Sequence, residues 1–428
     1  MESVSVLAGA TSIARHRFWK RLVLSRVRGL RDGQLYLADG RDEVLIGSAA
    51  ADGLRVRLTI HRDRLWRRVA FGGLLAATEA YMDGDWDVDD LTALARIFSR
   101  NMDTVSTLDS GLGRLIRPTA MLRYRRSRNS RRGAKRNISA HYDLGNDFFA
   151  LMLDPTMTYS CGVFEQESSS LEEASVAKID RLCRKLDLHP GDHLLEIGSG
   201  WGALAVHAAT RYACRVTTTT ISKQQYDAAV ARVARAGVAD RVRVLLRDYR
   251  ELTGRYSKLV SVEMVEAVGA EYFDAFFKVA SDRLESGGLM ALQAITVADQ
   301  RFDAARRAVD FIKHHVFPGS CIPSIAALLR AAARTSDLRL VDLEDFTPHY
   351  ARTLASWRAN LEQNFDAVRR VTDERFRRLW NLYLAYCEGG FRERHTGLVQ
   401  MVLARPNWRG VVNRGETPAT FATWSAAS

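Results

Sequence analysis

Leu194 to Ala205 reads LLEIGSGWGALA, an apolar run that ends on Glu196 and turns through Gly198, Gly200 and Gly202 into a segment of helical spacing. Glycines at such a turn let the backbone pass close to a ligand with no Cβ in the way. A dinucleotide site would show GxGxxG with an acid about twenty residues on. Here the spacing is GxGxG, and the position where that acid would stand is Thr218. A turn with a purely structural purpose is the competing reading of the loop alone. Outward from it, apolar strand candidates alternate with helices from about residue 140. CRVTTTTI, RVRVLLRD, KLVSVEM and GLMALQAI follow LLEIG, with helices expected over 171–188, 223–236 and 272–284; LRLVDLEDF and GLVQMVLARP close the series.

That alternation predicts an α/β fold with a parallel sheet covered on both faces. Seven strands led by five βα units match the doubly wound, Rossmann-like S-adenosylmethionine methyltransferase version. This donor carries no pyrophosphate for a helix N-terminus to hold, which makes the altered glycine spacing intelligible. Ligands of such sheets bind beyond the carboxyl ends of the strands. Polar residues stand there after the second strand (Thr220, Ser222, Gln224, Gln225) and after the third (Asp248, Tyr249, Arg250). Taken singly each is equally readable as a helix cap, Ser222 above all.

Before residue 140 the pattern differs. Residues 30–60 alternate like short strands around Asp39-Gly40, helical spacing follows over 65–80 and 91–102, and a smaller N-terminal α+β domain is expected. The domains predicted are 1–112, accessory and lipid-binding; 113–137, a basic linker; and 138–428, catalytic. The chain carries 62 Lys and Arg against 50 Asp and Glu, a formal charge of +12. Between Arg114 and Arg136 cations recur with no acid among them. A solvated linker and a patch for an anionic membrane surface are both open readings. No nucleic-acid partner is expected, because no binding module accompanies the run. Cys161, Cys183, Cys214, Cys321 and Cys387 form no CxxC pair, so neither disulfides nor a metal site is expected. Apolar stretches such as 287–298 are too short to span a bilayer, and the N-terminus lacks a basic segment leading an apolar one. A cytoplasmic protein, peripheral at the inner face of the membrane, is the expectation.

Further segments carry a resemblance. ISAHYDLGNDFF from Ile138, MTYSCGVF from Met157, LEIGSGWG, TISKQQ, SVEMVEAVG from Ser261, HVFPGSCIPS from His315, HYARTLASW from His349 and CEGGFRERHTGLVQMVL from Cys387 occur in that order. Together they resemble the cyclopropane fatty acid synthases and the related mycolic acid cyclopropane synthases. EAYMDGDWD from Glu79 resembles the accessory domain of the full-length enzymes. The resemblance implies S-adenosylmethionine as methyl donor, held by Tyr159, Ser160, Gly198, Gly200, Thr220, Gln225 and Asp248, with Trp201 and Tyr249 nearby. It implies a bicarbonate in the active site, held by groups matching Cys161, Glu266 and Tyr350.

The reaction implied is transfer of a methylene group to the cis double bond of phospholipid acyl chains, through a carbocation that bicarbonate deprotonates to close a cyclopropane. The alternative is an acyl C-methyltransferase giving a methylene- or methyl-branched chain. A nicotinamide oxidoreductase and an RNA methyltransferase are the readings from other classes, opposed by Thr218 and by the missing RNA module. A homodimer is one assembly open to such a protein. Two departures bear on the chemistry: Gln293 stands in LQAI where the family reads LHTI, and Ala267 stands where a histidine often follows the glutamate. Gln can donate to an anion but does not titrate near neutral pH. Outside the resemblance, Cys161 reads as a small buried hydrophobe and Tyr350 as an interface tyrosine. Glu266 is harder to place as structural, since a carboxylate buried unpaired is costly. Tyr142, Phe148, Tyr159, Phe164, Tyr272 and Phe317 are candidates to line the pocket.

Overall fold

The computed structural model describes residues 17–40, 42–109, 133–134 and 145–414. Nearly all of the basic stretch, and Tyr142, lie outside the described residues. After a helix over 17–27, alternation of buried and open positions builds a four-stranded sheet in the order β2-β1-β3-β4. Its strands are β1 (Gly33–Ala38), β2 (Glu43–Ser48), β3 (Arg55–Ile60) and β4 (Trp86–Val88). Leu35, Leu37, Val56, Leu58 and Ile60 are its buried side. Between β3 and β4 runs α1 (Arg64–Met82), broken at Gly73 with φ 60° and ψ −144°. The Asp109 carboxylate accepts the Leu74 N–H there at 3.0 Å, and a Cβ on Gly73 would lie 2.2 Å from that oxygen. The expected helix over 91–102 is α2 (Leu91–Arg100), whose first turn is capped by the Asp90 side chain.

All seven predicted strands of the larger sheet are present, in the order β10-β11-β9-β8-β5-β6-β7. They are β5 (His193–Ile197), β6 (Arg215–Thr220), β7 (Val242–Leu246), β8 (Tyr256–Val262), β9 (Leu284–Val297), β10 (Arg339–Asp345) and β11 (Thr396–Ala404). β5 to β9 pair in parallel, whereas β11 lies antiparallel to both β9 and β10. The sheet is therefore mixed, not parallel throughout. An apolar run buried on both faces has the same composition in either direction, so only the connection sets its sense. Helices α3 (Gly145–Met152), α4 (Leu171–Lys185), α5 (Ala203–Arg211), α6 (Lys223–Arg235), α7 (Phe273–Arg283), α8 (Asp299–Arg307) and α9 (Ile325–Thr335) precede three at the C-terminal side: α10 (Thr347–Gln363), α11 (Phe365–Val371) and α12 (Glu374–Arg392).

The N-terminal part packs on this C-terminal layer through α2 and α12. Thr92 on α2 donates to Glu388 on α12 at 3.1 Å, and Arg358 on α10 reaches both, at 2.5 and 2.9 Å. One apolar core runs from Leu35 and Val56 through Leu94 to Leu354, Trp357 and Leu384. No helix among the described residues is long and apolar enough to cross a membrane.

Candidate active site

The strand ends of the larger sheet open on a cavity of about 940 Å³, near the upper end for small-molecule sites. At the end of β5 the chain turns through Gly198, Gly200 and Gly202, with φ of 101°, 47° and 87°. A Cβ on Gly202 would sit 3.1 Å from the Ala229 Cβ, so this glycine lets α5 press on α6. A Cβ on Gly200 would meet no protein atom within 4 Å. All nine residues that the resemblance assigns to the methyl donor line this one cavity: Tyr159, Ser160, Gly198, Gly200, Trp201, Thr220, Gln225, Asp248 and Tyr249.

Their side chains are held from behind. Thr220 donates to Gln225 Oε1 at 2.9 Å; Asp248 is forked with Arg250 at 2.8 and 2.6 Å; Trp201 Nε1 donates to Asn146 at 2.8 Å; Lys178 Nζ donates to Ser160 at 2.8 Å. Ser222 caps α6, as its alternative reading held. Glu196, missed as a site residue, also lines the cavity; burial pushes its carboxyl up to about 8, and its Oε2 is buried with no protein partner. The Tyr249 hydroxyl is likewise buried without one. Buried polar atoms left over at strand ends suit a ligand with polar groups of its own, and the residues present fit S-adenosylmethionine.

Beyond β8 the sequence reading needs correction. Glu263, not singled out from sequence, sits in left-handed backbone with φ 47° and turns its carboxylate into a cluster of donors. Its Oε1 accepts the Cys161 N–H at 2.9 Å and Gln293 Nε2 at 2.7 Å, and its Oε2 accepts a short bond from the Tyr350 hydroxyl. Burial raises its carboxyl above the ordinary range, against the three hydrogen bonds. Tyr350 therefore pairs with Glu263 and not with Glu266. Cys161 contributes its backbone N–H, while its thiol faces the Gly162 carbonyl at 3.1 Å. Cys161 and Tyr350, two of the three groups expected to hold a bicarbonate, already hold a carboxylate of the chain itself, and they do not fit a second anion.

Glu266 stands alongside, lining the cavity. Its Oε1 accepts the Ile295 N–H at 2.5 Å and its Oε2 is buried without a protein partner. Burial first, and then the charge of Glu263, lift its carboxyl to about 8. Of the aromatic candidates, Tyr159 and Phe317 line the cavity, joined by Tyr383, whose hydroxyl lies 3.1 Å from that of Tyr159. Phe148, Phe164 and Tyr272 do not. Phe148 packs among Phe149, Phe376 and Trp380, Phe164 lies under the Arg352 guanidinium, and Tyr272 lies under that of Arg250. Leu74, Leu75, Leu94 and Phe98 bring the N-terminal part into the same wall.

The family model described as mycolic acid cyclopropane synthetase matches residues 129–401. The chain is 40% identical over 367 residues to the tuberculostearic acid methyltransferase UfaA1 of Mycobacterium tuberculosis, covering 84% of this chain and 85% of that protein. It is 34% identical over 363 residues to the cyclopropane-fatty-acyl-phospholipid synthase of Escherichia coli K12, covering 84% and 89%. Among solved structures, the mycolic acid cyclopropane synthase CmaA1 complexed with SAH and CTAB superposes with a TM-score of 0.60 at 33% identity, over 63% of this chain and 98% of that one. With this donor loop, this sheet order and these relatives, the chain belongs to the cyclopropane synthase family of S-adenosylmethionine-dependent methyltransferases.

Proposed function

We propose that the protein transfers the methyl group of S-adenosylmethionine to the cis double bond of an unsaturated acyl chain on a membrane phospholipid, and that the resulting cation closes to a cyclopropane. One observation carries this: a single cavity joins the glycine loop to the carboxylate of Glu263 and continues along an apolar wall into the N-terminal part. The relatives named as cyclopropane synthases support the same reading.

An isolated alkene is a weak nucleophile, so positioning must supply much of the rate. The donor supplies an electrophilic methyl when bound. The residues around it hold the two reactants in line and keep water from the cation. Tyr159, Tyr383 and Phe317 line the same cavity, and aromatic rings there can stabilise positive charge. Loss of a proton from the transferred methyl then lets its C–H electron pair form the ring bond. A second reading is favoured by Gln293 and by the relative named as a tuberculostearic acid methyltransferase. In it, hydride first shifts from the methyl-bearing carbon to its cationic neighbour, and the same proton loss leaves a methylene branch.

The test is to incubate the protein with 13C-methyl-labelled S-adenosylmethionine and vesicles of dioleoyl phosphatidylglycerol, then take NMR spectra of the extracted lipid. Strongly upfield ring protons coupled to the label are expected, and Gly200→Val should abolish transfer by filling the donor site. Vinylidene protons without ring signals would replace the cyclopropane with the branched product. Unlabelled lipid would overturn both.

A further inference from the structure

We propose that Glu263 is itself the general base of this enzyme, its carboxylate occupying the anion position that Cys161, Gln293 and Tyr350 would otherwise offer to a bicarbonate, so that turnover requires none. The proposal rests on the methyl-transfer reading above. Its ground is a convergence: the three donors come from the loop before α4, from within β9 and from α10, and all three meet on one carboxylate.

The orientation of the amide is set by the chain. Gln400 Nε2, on the neighbouring strand β11, donates to Gln293 Oε1 at 2.9 Å, which leaves Gln293 Nε2 to face Glu263. A histidine at this position would suit an exchangeable anion; a fully buried glutamine locked by Gln400 suits a permanent one. The backbone is a second, independent sign. A non-glycine residue in the left-handed region is strained, and such strain collects at functional sites.

Placement and valence both fit the step. The next residue, Met264, packs beneath the donor loop, its Cγ 3.2 Å from where a Gly198 Cβ would lie. Glu263 itself lines the shared cavity. A carboxylate offers about four lone-pair positions. Oε1 carries two donors and Oε2 one, so Oε2 keeps a lone pair for the methyl proton. That proton moves to Oε2 while the C–H electron pair becomes the new carbon–carbon bond, and the acid formed returns its proton to water after the product leaves.

The experiment compares parent, Glu263→Gln and Glu263→Gly in the vesicle assay, in CO2-free buffer and with millimolar bicarbonate. The parent should turn over equally in both. Glu263→Gln should lose about a hundredfold or more, the usual scale for removing a general base. Glu263→Gly relieves the strained backbone and empties the anion position, so bicarbonate should restore much of its activity. Independently of turnover, 13C-bicarbonate resonances should broaden with Glu263→Gly and not with the parent, while calorimetry shows unchanged S-adenosylmethionine binding in each variant. A parent that slows severalfold without bicarbonate, or broadens its signal, overturns the proposal, as does a fully active Glu263→Gln. If the parent labels no lipid but the bicarbonate binding contrast holds, the methyl-transfer reading fails and the occupied anion position stands.

Discussion

Two carboxyls near each other in a dry pocket cannot both be charged cheaply, and their surroundings decide which one is. Glu263 has three donors; Glu266 has two backbone N–H groups, its own and that of Ile295, and the repulsion of Glu263. The charge therefore belongs on Glu263, and Glu266 is a neutral acid below about 8. A carboxyl whose folded pKa is raised stabilises the fold while protonated, and that stability is lost as pH rises from its unfolded value through the folded one. Glu266→Gln should thus match the parent in thermal stability near pH 5 and exceed it increasingly towards pH 9, followed by calorimetry across pH. A difference that is flat with pH would show that Glu266 is not the protonated partner. Its loss of activity should be at least tenfold smaller than that of Glu263→Gln.

At the scale of elements, the site depends on how closely α12 approaches α2. Gly389 makes the approach possible: a Cβ there would lie 2.6 Å from the Ala95 Cβ and 3.0 Å from both the Arg96 N and the Thr92 O. Two of these are backbone atoms that cannot turn aside. Gly389→Leu should destabilise the protein by about 1–3 kcal/mol, the usual range for overpacking, and more if the helices separate. Gly390→Ala is the control, because its Cβ would meet only the Thr396 hydroxyl, at 3.3 Å. Chemical denaturation of the two variants checks the contrast. Leu94 and Phe98 on α2 belong to the cavity wall, so Gly389→Leu should also raise the KM for lipid.

For the whole molecule, the excess of positive charge bears on where the substrate is met. Lipid acyl chains lie in membranes, and juxtamembrane cations gain about 1 kcal/mol each near an anionic surface, screened by salt. Replacing Arg125, Arg126, Arg131 and Arg132 by Gln should weaken sedimentation with phosphatidylglycerol vesicles far more than with phosphatidylcholine vesicles, with a shallower salt dependence. Equal loss on both would make the stretch a connection and nothing else. The N-terminal part is joined to the larger sheet by a common core and a common cavity.

The seven strands and the glycine loop were legible because each is a local matter: apolar runs, and a turn that needs positive φ. The direction of β11 was not, since burial on both faces erases any sign of strand sense. Nor was the convergence of donors on Glu263, although it stood in the SVEMVEAVG segment from the start. Residues 161, 263, 293 and 350 lie far apart in the chain, and no periodicity links an N–H, a carboxylate, an amide and a phenol. Only the packing of β8, β9 and α10 brings them within hydrogen-bond reach and decides which glutamate carries the charge. The sequence by itself determined the fold and the glycine turn after β5. Which donors meet the Glu263 carboxylate was left to tertiary structure, because a hydrogen bond is made between neighbours in space.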